Sequence, residues 1–469
     1  MRPFFILAPL GVLYLALLGR LVQLHAYPRS VEHPVSGILN NETVLPGTRG
    51  VIVSHDGKPL AYDRPAFELV MSSRWLHRRY SPENRPEDLS DADIWDEINL
   101  VAEGCSLEPA ILAAALLDPE ISYKVLRRGV DPFEAGEIRN LLRGYRGMGL
   151  ELQPTLDRVY PLGRTYGTLL GIVADQGEGR EGLSGLEIVY DSTLKGTDGA
   201  KGSQLVTGPF GVNPAKGMLE PEVGSVLRTT LDLDLGQRVR EILATSMEAD
   251  QAVWNGAIVL DVNTGEVLSL VGLPDYNPAD PWAGEDGLDH SGIPTNFSLS
   301  IENAIEPGST FKPFVVGWAL QNGLISTTES FSDPGHFRVP GSRNVIGNAD
   351  GVPLGAKTAK ECIVHSSNVV AVQIGLKIGI PSFRQMMNSF GLWDPVVLGG
   401  RASPRGRAPA EKRWKNREGS CYTLPTLSFG QGLMVNPLRF AACFASLVNG
   451  GRRIDPFLVH EVGDELARS

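Results

Sequence analysis

Apolar positions dominate the chain's start: they run without a charge from Pro3 to Leu18, between Arg2 and Arg20. Continued to Leu24, with the Arg20 guanidinium snorkelling to a polar boundary, the run is long enough for one membrane-spanning helix over 1–24. A cleaved signal is the rival reading, but "LGRLVQLHAYP" lacks the A-x-A spacing of small residues that cleavage needs. Arg2 favours a cytoplasmic N-terminus, an argument that Arg20 weakens. Residues 25–45 are polar and read as a connector. "GTRGVIVSHDGKPLAYD" (47–63) predicts strand, turn and strand, with Val51-Ile52-Val53 apolar and the turn at Asp56-Gly57. From about 84 to 148 the spacing is helical, as in "DADIWDEINLVAEGC" and "DPFEAGEIRNLLRGY". Gly- and Pro-rich turns then lead into a strand over 226–231 and a helix opened by Asp232 or Asp234, which sets a domain boundary near 225. "GAIVLDVNTGEVLSLVG" (256–272) predicts the clearest hairpin, two apolar strands around Asn263-Thr264-Gly265. There are no internal repeats.

Composition narrows the classes. At 469 residues the chain is too long for one ordinary domain, so two or three soluble units are expected. A formal net charge of -11 argues against nucleic acid as a main partner, because phosphate binding needs a basic footprint. Cys105, Cys362, Cys421 and Cys443 lie far apart with no CxxC spacing, so they offer neither a metal signature nor a disulfide framework.

The candidate chemistry lies in "EPGSTFKPF". Pro307-Gly308 breaks the preceding structure, and Ser309 stands at a helix start with Lys312 on the same helical face. A serine needs an adjacent base to act as a nucleophile at neutral pH, and a partly desolvated lysine can serve. Backbone N–H groups at such a helix start can also stabilise a developing oxyanion. Ser309 as an N-cap beside a surface lysine is the plainer alternative, and alone it is the commoner one. In "AKECIVHSSNVVAVQIG", Ser366-Ser367-Asn368 falls between two apolar helical stretches. A hydroxyl and a carboxamide on an interhelical loop can relay a proton and hold a substrate amide; an N-cap and a turn asparagine are the plainer account. Ser-x-x-Lys followed by a Ser-x-Asn element is part of a known signature of serine acyl-enzymes.

With these motifs in place, the chain resembles the class B penicillin-binding proteins, single-span D,D-transpeptidases that cross-link peptidoglycan. "RGVIVSHDGKPLA" (49–61), "DRVYPLG" (157–163), "GLSGLEIVYDSTLKGTDG" (182–199), "LRTTLDLDLGQ" (227–237) and "SFGQGLMVNPLRFAACFASLVNGG" (428–451) resemble family elements in family order. The resemblance implies an α+β multidomain fold: a transmembrane anchor over 1–24, an elongated α/β pedestal or dimerisation module over 25–225, and a transpeptidase domain of the penicillin-binding/serine β-lactamase type over 226–469. It implies a single-pass protein of the cytoplasmic (inner) membrane with its body on the periplasmic or extracellular side. No glycosyltransferase-like domain precedes the 49–61 element, so a bifunctional arrangement is not expected; a separate glycosyltransferase is the expected partner.

By the same resemblance Ser309 would attack the D-Ala-D-Ala carbonyl of a stem peptide, with Lys312 as general base, Ser366 as proton relay and Asn368 orienting the substrate. The acyl group would pass to an amine on a neighbouring strand, and β-lactams would acylate Ser309 as mimics. No metal or organic cofactor is implied. Arg49, Arg158, Tyr160 and Glu187 fall in the N-terminal module, where the family uses such residues structurally or for partner contacts.

One element is missing. No Lys-Thr-Gly or Lys-Ser-Gly occurs; the only Lys-Thr is Lys357-Thr358, followed by Ala359 and placed before the Ser366 motif. In the family this element follows the "SFGQG" region by several tens of residues, and "RRIDPFLVHEVGDELARS" resembles its lead-in. The expectation is therefore a transpeptidase domain missing its C-terminal part, about three strands and a closing helix, with sheet edges exposed beside the 256–272 hairpin. An incomplete reading frame is the favoured explanation. The alternatives are an inactive truncated homologue acting as a scaffold of the cell-wall machinery, and a third element supplied by another chain. Smaller departures are Asn436, where the family usually has threonine or serine, and Phe297 after Asn296, where Asn-Arg is more usual. A β-lactam sensor or β-lactamase on the same fold is disfavoured by the long N-terminal module. "SFGQGLMVNPL" leans toward a division-type enzyme.

Overall fold

The computed structural model describes residues 43–45, 47–76, 90–117, 121–145, 148–175, 180–208, 211–219, 221–281, 304–341, 343–398, 401–403, 405–407, 414 and 423–463. The predicted anchor over 1–24 and the Asn296-Phe297 pair lie outside the described residues. Among the described residues no helix is long and apolar enough to cross a membrane. The chain divides into two compact units, Met1–Thr48 with Gly196–Val223, and Arg49–Lys195 with Gly224–Ser469. In the smaller unit, strands Thr43–Leu45 and Gly211–Leu219 flank Gly199–Gly208, both antiparallel to it. Residues 43–45 are thus a strand and not part of a connector, because ladder hydrogen bonds satisfy backbone groups that a polar pattern alone leaves unassigned.

The larger unit begins with β1 (Ile52–Val53) and β2 (Pro59–Leu76), then α1 (Asp91–Gly104), α2 (Pro109–Leu117), β3 (Tyr123–Val130), α3 (Pro132–Leu142) and β4 (Met148–Val159). β5 (Val226–Thr229), α4 (Leu233–Asp250), β6 (Asn255–Leu260) and β7 (Val267–Leu273) follow. The site region adds α5 (Lys312–Gln321), α6 (Ala359–Val364), α7 (Asn368–Ser389), α8 (Pro437–Ala445) and β8 (Val459–Gly463). One sheet has the order β8-β5-β1-β2-β3, with β4 also pairing with β2; β5 and β1 are parallel and the other pairs antiparallel. Residues far apart in sequence, from Ile52 to Gly463, therefore share one sheet.

Local physics explains most elements. Ser90 and Asp93 form a capping box that starts α1, and Asp131 caps α3 through the N–H groups of Phe133 and Glu134. Asp232, and not Asp234, caps α4, its Oδ1 accepting from Leu235 N at 2.8 Å. The predicted hairpin is β6-β7; Asp261 Oδ1 accepts from the N–H groups of Asn263 and Thr264 at 2.8 Å each and closes the turn. Two expectations need correction. The stretch 84–148 is not helical throughout, because "YKVLRRGV" forms β3 and pairs with β2. The second strand of the 47–63 pattern runs on to Leu76, because β4 lies antiparallel along it. Both are tertiary effects: a long neighbouring strand offers ladder partners that local spacing does not reveal.

Among the described residues three large apolar cores hold the unit, with a small fourth of Ala442, Ala445 and Ile454. Leu69, Met71, Ile98, Leu112, Ile138 and Met148 join α1, α2 and α3 to the sheet. Ile52, Leu60, Leu227, Leu270 and Leu458 bind β5 and the hairpin to β1 and β2. Phe311, Phe314, Val370, Phe383 and Phe440 fill the helical region around α5. Polar ties run beside them. The buried Glu187 accepts from Arg49 Nε at 2.6 Å, Arg158 Nε at 2.9 Å and Tyr160 Oη at 3.4 Å. The buried Asp63 accepts from Arg158 Nη1 at 3.2 Å and Arg180 Nη1 at 2.8 Å. The four residues singled out in the N-terminal sequence are thus members of one buried ion network. Asp275 joins Arg164 at 3.0 Å to Arg240 of α4 at 2.5 Å.

Candidate active site

Ser309 sits in a 3-10 turn, Gly308–Phe311, that runs directly into α5. Pro313 falls in the first turn, where a missing N–H costs nothing. α5 is apolar on nearly every face and buries Phe314, Val315, Val316 and Ala319. Phe314 meets Phe390 edge-on at 4.8 Å and Phe440 at 5.4 Å, which fixes the rotation of the helix. That rotation leaves Ser309 exposed and puts Lys312 at 1% exposure. Lys312 is therefore not the surface lysine of the plainer reading.

The ammonium has a specific seat. Lys312 Nζ donates to Ser366 O at 2.6 Å and lies 2.9 Å from Ser366 Oγ and 3.1 Å from Ser309 Oγ. Burial disfavours the charged form and lowers the Lys312 pKa from the ordinary 10.5 to about 8. An amine so placed holds a usable neutral fraction near neutral pH and sits between two hydroxyls. That arrangement can take a proton from one hydroxyl and pass it to the other.

The backbone around Ser366 explains its position. After α6, Ser366 N donates to Ile363 O at 3.2 Å and Ser367 N to Cys362 O at 3.0 Å, the paired bonds of a Schellman motif. Ser366 takes the left-handed position of that motif, with φ 54°, where glycine is the usual residue. A side chain there costs about 1 kcal/mol or more. The hydroxyl is present at a place where the backbone would prefer none, and it contacts Lys312.

Ser367 and Asn368 play parts that the loop motif alone did not separate. Ser367 is the N-cap of α7, its Oγ accepting from Val370 N at 3.0 Å, and it donates to Asp333 Oδ2 at 2.5 Å. Asn368 Nδ2 donates to Gly347 O at 3.0 Å, and Asn368 N donates to Asn348 Oδ1 at 3.0 Å. Asp333 and Asn348 were not singled out in the sequence. The turn-type Asp-Pro-Gly after Ser332 is the local signal at Asp333.

The "SFGQG" segment touches the 3-10 turn that carries Ser309. Gly308 N donates to Gly430 O at 3.0 Å, Gly432 N donates to Glu306 Oε1 at 2.9 Å, and Ile305 and Val435 exchange backbone bonds. Gly430 has φ +79°, and a Cβ there would lie 2.0 Å from Gly308 O. Asn436 caps α8 through Arg439 N at 3.0 Å, a role that serine or threonine fills equally well. Lys357-Thr358 is structural: Thr358 caps α6, bonded reciprocally to Glu361. Among the described residues no group of histidine, cysteine and carboxylate side chains could hold a metal.

Comparisons with known proteins agree on one family. A model described as "Penicillin binding protein transpeptidase domain" matches residues 255–468, and one described as "Penicillin-binding Protein dimerisation domain" matches residues 44–208. The probable peptidoglycan D,D-transpeptidase PbpC of Pseudomonas aeruginosa is 24% identical over 454 residues, covering 95% of this chain and 73% of the relative. The peptidoglycan D,D-transpeptidase FtsI of Escherichia coli is 27% identical over 408 residues, covering 86% and 63%. The penicillin-binding protein PbpB of Mycolicibacterium smegmatis is 26% identical over 434 residues, covering 89% and 63%. Among solved structures, penicillin-binding protein 2X of Streptococcus thermophilus matches with a TM-score of 0.65 at 20% identity, covering 91% of this chain and 62% of that one. The chain thus spans about two thirds of the length of these relatives.

Proposed function

Because the chain belongs to the class B penicillin-binding proteins, we propose that Ser309 is the acyl acceptor of a peptidoglycan D,D-transpeptidase. The observation that carries this reading is Lys312 Nζ seated between Ser309 Oγ and Ser366 Oγ. Neutral Lys312 takes the Ser309 proton as Oγ bonds to the carbonyl carbon of the penultimate D-Ala. The amide C–N bond then breaks, and the proton reaches the departing D-Ala nitrogen through Ser366 Oγ. An amine of a neighbouring stem peptide attacks the ester and releases Ser309. Asn368 orients the substrate amide. β-Lactams acylate the same oxygen, with ring opening in place of D-Ala release.

The organisation proposed with this activity is an anchor over 1–24, a dimerisation or pedestal domain over 25–225 and a transpeptidase domain over 226–469. The body then stands outside the cytoplasmic membrane, beside a glycosyltransferase that makes the strands to be linked. The Lys-Thr-Gly element of the family's site is not among the 469 residues, so the groups assigned are nucleophile, base, relay and amide ligand. The test is incubation with a fluorescent penicillin, with the adduct mapped by mass spectrometry. The expected result is one adduct on Ser309, absent in Ser309→Ala. A folded chain that takes no label removes the transpeptidase reading in favour of a scaffold.

A further inference from the structure

Asp333 is wholly buried, and among the described residues no lysine or arginine pairs with it. Its carboxylate is instead held by neutral donors. Gly335 N donates to Oδ1 at 2.8 Å, Ser367 Oγ donates to Oδ2 at 2.5 Å, and Asn348 Nδ2 lies 3.0 Å from both oxygens. A buried carboxylate without a cation is expensive and calls for a reason.

Two of these three donors, Ser367 and Asn348, lead to the start of α7. A carboxylate accepts, and so does the Val352 carbonyl, which takes Nδ2 at 3.1 Å; together they fix which way the Asn348 amide faces: Nδ2 toward Asp333 and Val352, Oδ1 toward the helix. Oδ1 then accepts from Asn368 N at 3.0 Å and Val369 N at 3.4 Å. The same carboxylate accepts the Ser367 O–H, which leaves that oxygen's lone pairs to accept from Val370 N at 3.0 Å. Three successive N–H groups of α7 are thus capped by two side chains, both hydrogen-bonded to Asp333. The other side of the loop is tied to the same strand, because Ser330–Asp333 pairs with Gly355–Thr358 and Thr358 caps α6. Ser366, in its left-handed conformation, lies between these two fixed helix ends.

We propose that Asp333, acting through Ser367 and Asn348, is the positioning residue that holds the Ser366–Asn368 loop in register with Lys312. Asp333 touches neither Ser309 nor the reacting bond. It sets where the relay hydroxyl and the amide ligand stand, and displacements of an ångström at such groups cost orders of magnitude in rate. This inference rests on the acyl-enzyme reading of Ser309.

The test measures penicillin acylation of the full chain, with the acylation rate constant separated from β-lactam affinity by varying concentration, across pH. Asp333→Asn keeps the shape but turns a donor toward donors. Its expected effect is an acylation rate constant lowered by ten- to a hundredfold, with the pH midpoint set by Lys312 unchanged and faster amide exchange confined to Ser366–Val370. Asn348→Ala, at a half-buried site, cuts the link to Asn368 while keeping the Ser367 bond, and should lower the same constant without unfolding the chain. If both single variants acylate at the wild-type rate constant in their folded fraction, Asp333 only supports the fold and the inference is wrong. If wild type itself takes no label, the acyl-enzyme reading fails and this inference falls with it.

Discussion

Replacing Lys312 by methionine should separate the cost of burying the amine from every other change at the site. The sign follows from the direction of the shift. Lys312 is a base whose folded pKa, about 8, lies below the ordinary 10.5, so between those values the unfolded chain binds more protons. Stability then rises with pH, and the penalty is fully present below pH 8 and relieved as pH approaches 10.5. A shift of that size corresponds to roughly 3 kcal/mol at neutral pH. Lost hydrogen bonds to Ser309 and Ser366 offset part of it in Lys312→Met, but those terms do not vary with pH in the same way. Taking the difference between wild type and Lys312→Met at each pH also removes the titration of the other lysines. That difference should move by about 1.3 kcal/mol between pH 7 and 9, and by about 2.5 kcal/mol between pH 7 and 10. The Cys362 thiol beside Lys312 is pushed up to about 12 by burial and stays protonated across this range. The assay is denaturant unfolding of both proteins from pH 7 to 10. The same shift predicts that wild-type acylation by penicillin rises about tenfold per pH unit below pH 8 and levels above it. Parallel stability curves for the two proteins, or an acylation midpoint near 10, would refute the desolvation of Lys312 and with it the neutral amine near pH 7; a rate that does not rise with pH would refute its assignment as the base.

Two further predictions concern the neighbours of Lys312. Ser366→Gly and Ser366→Ala both remove the hydroxyl proposed as the relay and should slow acylation alike, by about a hundredfold or more. Relief of the left-handed backbone, less glycine's unfolded-state entropy, should leave the glycine variant more stable by about 0.5–1 kcal/mol; a more stable alanine variant in calorimetry would contradict the strain argument. Gly430→Ala places a methyl against Gly308 O and should cost several kcal/mol or displace the Ser309 turn. Scanning calorimetry with penicillin labelling checks it, and wild-type values for both would show that the "SFGQG" loop does not buttress Ser309.

Much of this was legible along the chain because it depends on near neighbours. Ser309 and Lys312 are one helical turn apart, so their approach follows from the rise of a helix. The β6-β7 turn follows from Asp261 through Gly265, and the caps at Ser90, Asp131 and Asp232 follow from side chains that bond their own helix. What could not be read was any property set by residues distant in sequence. β3 lies in a helical-looking stretch and became a strand only because β2 offered it a ladder. The roles of Ser366, Ser367 and Asn368 separate only when Asp333 and Asn348 arrive from another segment.

The sequence by itself determined the family, the β6-β7 hairpin and the helix start that places Ser309 one turn before Lys312, since long motifs and short-range capping are both written locally. Tertiary structure alone decided that Lys312 is buried, because its exposure depends on Phe314 locking α5 against Phe390 and Phe440. It also decided that the left-handed Ser366 faces that amine, a meeting across 54 residues that only the packing of α6 and α7 against α5 brings about.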